Sequence, residues 1–323
     1  MDEKDLAARF NDAAQNLGYI ANHIINLPDS IKAKTHEIRL RTGRPVMLSM
    51  PDTDAFITET GMVAYTQRTG LLCAYRKDID DAFRIICNSS IYSHQNEIKN
   101  GFVVLKGGHR AGICGTAVCE NENIINIRDI SSINLRISRE IKGSADQTFK
   151  SIIENGCICG ALIFGPPGCG KTTVLRDIAR QISIGKGLLK HTRVAIVDER
   201  GEIAAIHSGS PQNDLGPSCD ILDGYPKSEG IMQAVRCLSP DVIICDEIGG
   251  QEEAKAIHIT LNAGVSIIAT AHAGSIEELY LRPHINELIK SGAFKKAVLL
   301  KGRDSPGTVR EVYDLQQKQN GGM

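Results

Sequence analysis

The chain has 323 residues, 42% hydrophobic and 23% charged, with a formal net charge of −1. This is the composition of a soluble globular protein with room for two ordinary domains and a buried core. The near-zero balance excludes a strongly basic nucleic-acid surface over the whole chain, and apolar runs such as 161–164 and 242–245 are far too short to span a bilayer.

The chain opens Met-Asp-Glu-Lys-Asp without an apolar signal core, so the expected location is the cytoplasm. Extended character runs through 36–47 (Glu37-Ile38-Arg39-Leu40-Arg41), with a turn at Thr42-Gly43-Arg44-Pro45. Ile79, Ala82, Phe83 and Ile86 recur at helical spacing and predict a helix over 76–89. Strands at 102–105 and 111–117 flank Lys106-Gly107-Gly108-His109, a hairpin turn, and a further strand covers 133–137. An amphipathic helix at 146–154 leads into a different rhythm. From there apolar strands (161–164, 193–197, 242–245, 266–270) alternate with helices (171–183, 228–238, 251–263). Short buried strands alternating with helices predict a mostly parallel sheet. Residues 207–226, rich in Gly, Pro, Ser and Asp, read as a long loop, and 297–315 as a hairpin around Asp304-Ser305-Pro306-Gly307. The expected organisation is a smaller mixed α/β domain at 1–145, an α/β domain at 146–315 and a disordered polar tail at 316–323.

Ten cysteines are scattered without paired Cys-x-x-Cys units, and no histidine pair has zinc spacing. Most are expected to be reduced, buried small hydrophobes.

Chemistry concentrates in the second half. Gly165-Pro166-Pro167-Gly168-Cys169-Gly170-Lys171-Thr172, followed by Thr173, fits G-x-x-x-x-G-K-[ST], with an apolar strand before it and a helical pattern after it. Glycines let backbone N–H groups wrap a phosphate, and the helix N-terminus adds partial positive charge. Lys171 is expected to reach the β- and γ-phosphates of ATP and the Thr172 hydroxyl to bind Mg²⁺. Asp241-Val242-Ile243-Ile244-Cys245-Asp246-Glu247 is a buried strand ending in two acids. Asp246 is expected in the Mg²⁺ shell, and Glu247 as the residue that orients and deprotonates the attacking water. Another strand falls between the two motifs in the chain and ends in Asp198-Glu199-Arg200. Asp198 and Glu199 are a second acidic candidate for water or metal placement, against the alternative of an N-cap or a salt-bridged surface pair. His272, after the strand at 266–270, and Thr270 are candidate γ-phosphate sensors. The arginine that neutralises transition-state charge is sought among Arg128, Arg136 and Arg139, with Arg236, Arg39 and Arg41 as further candidates.

These residues resemble the secretion-type ATPases of type II and type IV secretion and pilus assembly. Leu238-Ser239-Pro240-Asp241-Val242-Ile243-Ile244-Cys245-Asp246-Glu247-Ile248 is similar to their magnesium-strand segment, Asp198-Glu199 to their acidic box, and Thr270-Ala271-His272-Ala273 to their histidine box. Asp246 replaces a residue that is often glycine there, and no four-cysteine zinc module is present. A resemblance spanning nearly the whole chain is to the stage III sporulation protein AA family. It is carried by Glu37-Ile38-Arg39-Leu40-Arg41-Thr42-Gly43-Arg44-Pro45, Gly107-Gly108-His109-Arg110-Ala111-Gly112, Asp129-Ile130-Ser131-Ser132-Ile133-Asn134-Leu135-Arg136-Ile137 and Asp198-Glu199-Arg200-Gly201-Glu202-Ile203. The resemblance implies a RecA-like P-loop NTPase fold and a Mg²⁺-dependent ATPase in the mother cell of an endospore former. It further implies a hexameric ring docked on membrane-embedded channel proteins at the inner face of a membrane. The rival expectation is a nucleic-acid-dependent ATPase using Arg39, Arg41 and the Lys106–Arg110 turn on phosphates. Only 4% aromatic residues and no Trp argue against a stacking platform, so nucleic acid is not the expected partner.

Overall fold

The computed structural model describes residues 2–88, 90, 94–187 and 190–315. The polar tail expected at 316–323 lies outside them. The described chain divides into two compact units. One holds residues up to 140 together with 206–212, and the other holds 141–205 and 213 onward.

The first unit begins with three helices that hydrophobic periodicity did not reveal, Glu3–Ala14, Tyr19–Ile24 and Asp29–Lys34. The first is started by a capping box. The Asp2 carboxylate accepts the Asp5 N–H at 2.8 Å, and the Asp5 carboxylate accepts the Asp2 N–H at 3.3 Å. It buries Ala7, Phe10, Ala13 and Ala14. A wholly antiparallel seven-stranded sheet follows. Its strand order is Val63–Ala64, Asp54–Ile57, Met47–Ser49, Glu37–Arg41, Asn123–Arg136, Arg110–Glu120, Phe102–Val104. Ile38 and Leu40 face the core, so the period of two leaves Glu37, Arg39 and Arg41 together on the opposite face. The expected helix at 76–89 is Arg76–Ile86, and the expected hairpin around Lys106–His109 is present.

The long loop expected over 207–226 is not uniform. Ile206–His207 pairs with Ser210–Pro211 and belongs to the first unit, where the Gly107 N–H donates to Gln212 Oε1 at 2.8 Å. Cys219–Asp223 is instead an edge strand of the second unit. Two aspartates in five residues, Asp220 and Asp223, mask it, since an edge strand needs no continuous apolar run.

The second unit is a seven-stranded sheet ordered Cys219–Asp223, Val194–Asp198, Val242–Cys245, Ser266–His272, Ala161–Gly165, Lys296–Leu300, Val309–Asp314. All neighbours are parallel except the last pair, the expected terminal hairpin. Strands Ala161–Gly165, Val194–Asp198 and Val242–Cys245 are buried along their whole length, as a sheet flanked by helices requires. Helices Lys171–Ser183, Lys227–Cys237 and Gln251–Asn262 lie close to their expected positions, and Ile276–Tyr280 and Pro283–Lys290 are additional. Because the strands are parallel, Gly165, His272, Cys245 and Asp198 all finish at one edge of the sheet.

The cysteines depart from expectation. All ten are free, but only Cys87, Cys159, Cys169 and Cys245 are buried; Cys114, Cys119, Cys157 and Cys237 are exposed. Three of the exposed four lie outside any apolar stripe: Cys114 and Cys119 on the long two-stranded ribbon and Cys157 on a short hairpin.

Candidate nucleotide site

The phosphate loop joins strand Ala161–Gly165 to helix Lys171–Ser183. Its sharp path needs glycine at two points. Gly168 has φ +77°, and Gly170, the residue capping the helix, has φ +89°. A Cβ at Gly170 would also stand 2.8 Å from the backbone nitrogen of Gly307. The turn at 301–308 braces the loop from outside: Gly307 N–H donates to Cys169 O at 2.8 Å and Arg303 Nε to Pro167 O at 3.2 Å. Cys169 is buried, which pushes its thiol up and keeps it protonated.

Lys171 is buried, and its ammonium caps the loop's own carbonyls, Gly165 O at 3.1 Å and Pro166 O at 3.2 Å. It also meets His272 Nδ1 at 3.0 Å. An ammonium only donates, so Nδ1 accepts and the neutral ring carries its proton on Nε2. That nitrogen faces Glu247 Oε1 at 3.7 Å. The side chains of Lys171, His272 and Glu247 thus form a line across the strand ends.

Strand Val242–Cys245 is not adjacent to the phosphate-loop strand; Ser266–His272 lies between them and contributes to both sides. The Thr172 hydroxyl donates to Asp246 Oδ2 at 3.3 Å, and the buried Thr270 hydroxyl donates to Asp246 Oδ1 at 2.5 Å. The Glu247 N–H is shared between Asp246 Oδ1 at 2.9 Å and Thr270 Oγ1 at 2.8 Å. A hydroxyl and a carboxylate at the foot of a phosphate loop are an all-oxygen donor set, the chemistry that suits Mg²⁺. The residues present fit that ion beside nucleotide phosphates.

Glu247 has φ +29°, a conformation that side-chain-bearing residues rarely adopt. Its second carboxylate oxygen lies 3.5 Å from Arg200 Nη1. Its carbonyl accepts from Lys227 Nζ at 2.6 Å. Neither basic residue was picked out from sequence, although Arg200 directly follows Asp198-Glu199 and that pairing was its available signal. Arg303 carries no such signal.

The other acidic strand end is built differently. Asp198 is buried, and its carboxylate accepts N–H bonds from Glu202 at 2.9 Å, Ile203 at 3.0 Å and Ala204 at 2.7 Å. Burial pushes its carboxyl up against the pull of those donors. Glu199 meets Lys227 Nζ at 3.4 Å.

Among the expected arginines, Arg136 is exposed and pairs with Glu37 at 3.3 Å; Arg39 pairs with the same carboxylate at 2.6 Å. Arg139 is built into its own unit, with Nη2 donating to Ala33 O and Thr35 O at 2.7 Å each. Arg128 is exposed beside Asp129, and Arg236 is exposed on its helix.

A cavity of about 360 Å³ adjoins the phosphate loop, lined by Gly170, Thr173, Ile141, Gln147, Pro306 and Gly307. A larger one, about 480 Å³, lies at the opposite, amino-terminal end of the strands, where Asp241 neutralises Lys190 and Arg193. The larger cavity is remote from every residue of the phosphate loop, so size does not mark the site here.

The fold is that of the secretion-type P-loop ATPases. The structure is similar to the Yersinia pseudotuberculosis ATPase DotB, with TM-score 0.57, 13% identity, and coverage of 97% of this chain and 82% of that one. It is also similar to the pilus retraction motor PilT with bound ADP, with TM-score 0.52, 15% identity, and coverage of 82% and 74%. In sequence the chain is 37% identical over 296 residues to Stage III sporulation protein AA of Bacillus subtilis (strain 168), covering 91% of each. The family model described as "Sporulation stage III, protein AA" matches residues 15–319, and the chain belongs to that family.

Proposed function

We propose that the chain is a Mg²⁺-dependent ATPase that drives a secretion-like channel in sporulation, working as a hexameric ring in the cytoplasm against membrane-embedded partners. The observation that carries the ATPase reading is the convergence of Lys171, Thr172, Asp246, Glu247 and His272 at one sheet edge. Lys171 is the positive group inside the loop and exchanges its carbonyl partners for β- and γ-phosphate oxygens of ATP. The cavity beside Gly170 and Thr173 takes the ribose and base. Bound at Thr172 and Asp246, Mg²⁺ supplies neutralisation of phosphate charge. Glu247 accepts the proton of the attacking water. His272, with Nδ1 on Lys171 and Nε2 towards Glu247, couples the phosphate end of the site to the base. Positioned charges of this kind supply most of the stabilisation in phosphoryl transfer. Arg136, on the exposed polar face of the first unit's sheet, is the arginine proposed to complete a site across the ring.

ATP hydrolysis measured together with mass in solution, with and without Mg·ATP, tests the reading. The expected result is turnover without nucleic acid and nucleotide-driven assembly to ring mass. A chain that stays monomeric and hydrolyses ATP only on adding nucleic acid would replace it with the rival. Among the described residues no helix is long and apolar enough to cross a membrane.

A further inference from the structure

Lys227 stands where a lysine is least expected. It is the first residue of helix Lys227–Cys237, the end at which the helix dipole disfavours a cation. It is also 7% exposed, and burying an ammonium is costly unless it is paired. Its surroundings explain its presence. Nζ lies 3.4 Å from Glu199 Oε2 and 3.7 Å from Glu253 Oε1, and it donates to the Glu247 carbonyl at 2.6 Å. Glu253 in turn accepts the N–H groups of Gly249 at 2.7 Å and Gly250 at 2.9 Å. One cation therefore gathers the ends of two strands and the start of helix Gln251–Asn262.

The clamp acts on Glu247, the residue of the site that takes a positive φ without being glycine. At φ +29°, Glu247 needs its peptide groups held on both sides. Asp246 and Thr270 hold its N–H, and Lys227 holds its C=O. Fixing both ends sets the direction of the side chain, which faces His272 and Arg200.

We propose that Lys227 is the positioning residue of the hydrolytic base, with Glu199 and Glu253 as its counter-ions. This rests on the reading of Glu247 as that base. Lys227 acts through the Glu247 backbone. Glu199 then serves the base indirectly, through the lysine.

The test compares Lys227→Met and Lys227→Arg with Glu247→Gln in the full chain. Lys227→Met should lower kcat about tenfold to a hundredfold, with KM for ATP moving less than about twofold, because misplacement of a reacting group acts on the transition state. Lys227→Arg, which keeps the cation, should recover part of the loss. Amide hydrogen exchange without nucleotide should quicken at 247–250 in Lys227→Met. In the Glu247→Gln background Lys227→Met should bring no further loss of turnover, since both act through one group. Losses that multiply in the double variant, or a wild-type kcat in Lys227→Met, would overturn the positioning role while leaving the base in place. Normal turnover of Glu247→Gln alone would instead remove the base reading. If Lys227→Met does not fold, Glu253→Gln loosens the same clamp. It must then lower kcat without raising KM, and an unchanged kcat would overturn the proposal.

Discussion

Two neighbouring strands of the second unit end in nearly the same words, Val194-Ala195-Ile196-Val197-Asp198-Glu199 and Val242-Ile243-Ile244-Cys245-Asp246-Glu247. The fold gives them opposite duties. Asp246 is only partly buried and meets the hydroxyls of Thr172 and Thr270, leaving oxygen lone pairs beside the phosphate loop. Asp198 is buried and spends its carboxylate on three backbone N–H groups of the loop that follows. Strand order makes the difference. The Asp246 strand is one strand removed from the phosphate loop, and the Asp198 strand is two. The same acid is a metal-site candidate at one distance and a loop staple at the next.

The contrast can be broken by substitution. The largest effect belongs to the phosphate loop itself. Lys171→Ala should weaken ATP binding by about 100-fold, the worth of a charge-assisted contact, as read by nucleotide titration. Asp198→Ala should lower unfolding stability by about 3 kcal/mol, since it strands buried donors, and leave ATP affinity within about twofold. Denaturant unfolding beside nucleotide titration checks this; the reverse pattern would merge the two strand ends again. The pH dependence sharpens it. Burial raises the folded carboxyl of Asp198, so the folded chain holds a proton that the unfolded chain has lost above about pH 4. Its stability advantage over Asp198→Asn is therefore full below that pH. It should shrink as pH rises through the folded value, which denaturant midpoints across the acid-to-neutral range will show. Thr270→Val removes the hydroxyl shared by Asp246 and Glu247 and should slow turnover about tenfold. Glu199→Gln should be the mildest, about threefold in kcat, because a neutral partner still accepts from Lys227.

Much of the second unit was legible because its signals are local. A phosphate loop carries its glycines, lysine and threonine in consecutive positions, and buried parallel strands read as short apolar runs between helices. Strand 242–245 matches its expected bounds for that reason. What local pattern could not carry was partnership over distance. Lys227 follows an unremarkable Gly-Tyr-Pro, yet its ammonium reaches Glu247, Glu199 and Glu253. Arg303 and Gly307 lie over 130 residues beyond the loop they brace. The amino-terminal helices were hidden because the second and third have only 6 residues each and the burial of the first two comes from small residues such as Ala7, Ala13 and Ala21 as much as from large ones. Likewise the Asp198 staple looked like a second active acid, since only tertiary structure tells which side of the sheet edge a carboxylate serves.

The central claim is that Glu247 activates water while Lys171 and Asp246 hold the nucleotide. Its most direct test is the Glu247→Gln chain, with ATP affinity and single-turnover hydrolysis measured on the same preparation. Affinity within about twofold of wild type, with hydrolysis slowed by a factor of about 10² to 10⁴, is the predicted result. Hydrolysis at the wild-type rate would contradict it and send the search for the base to another group at the strand ends.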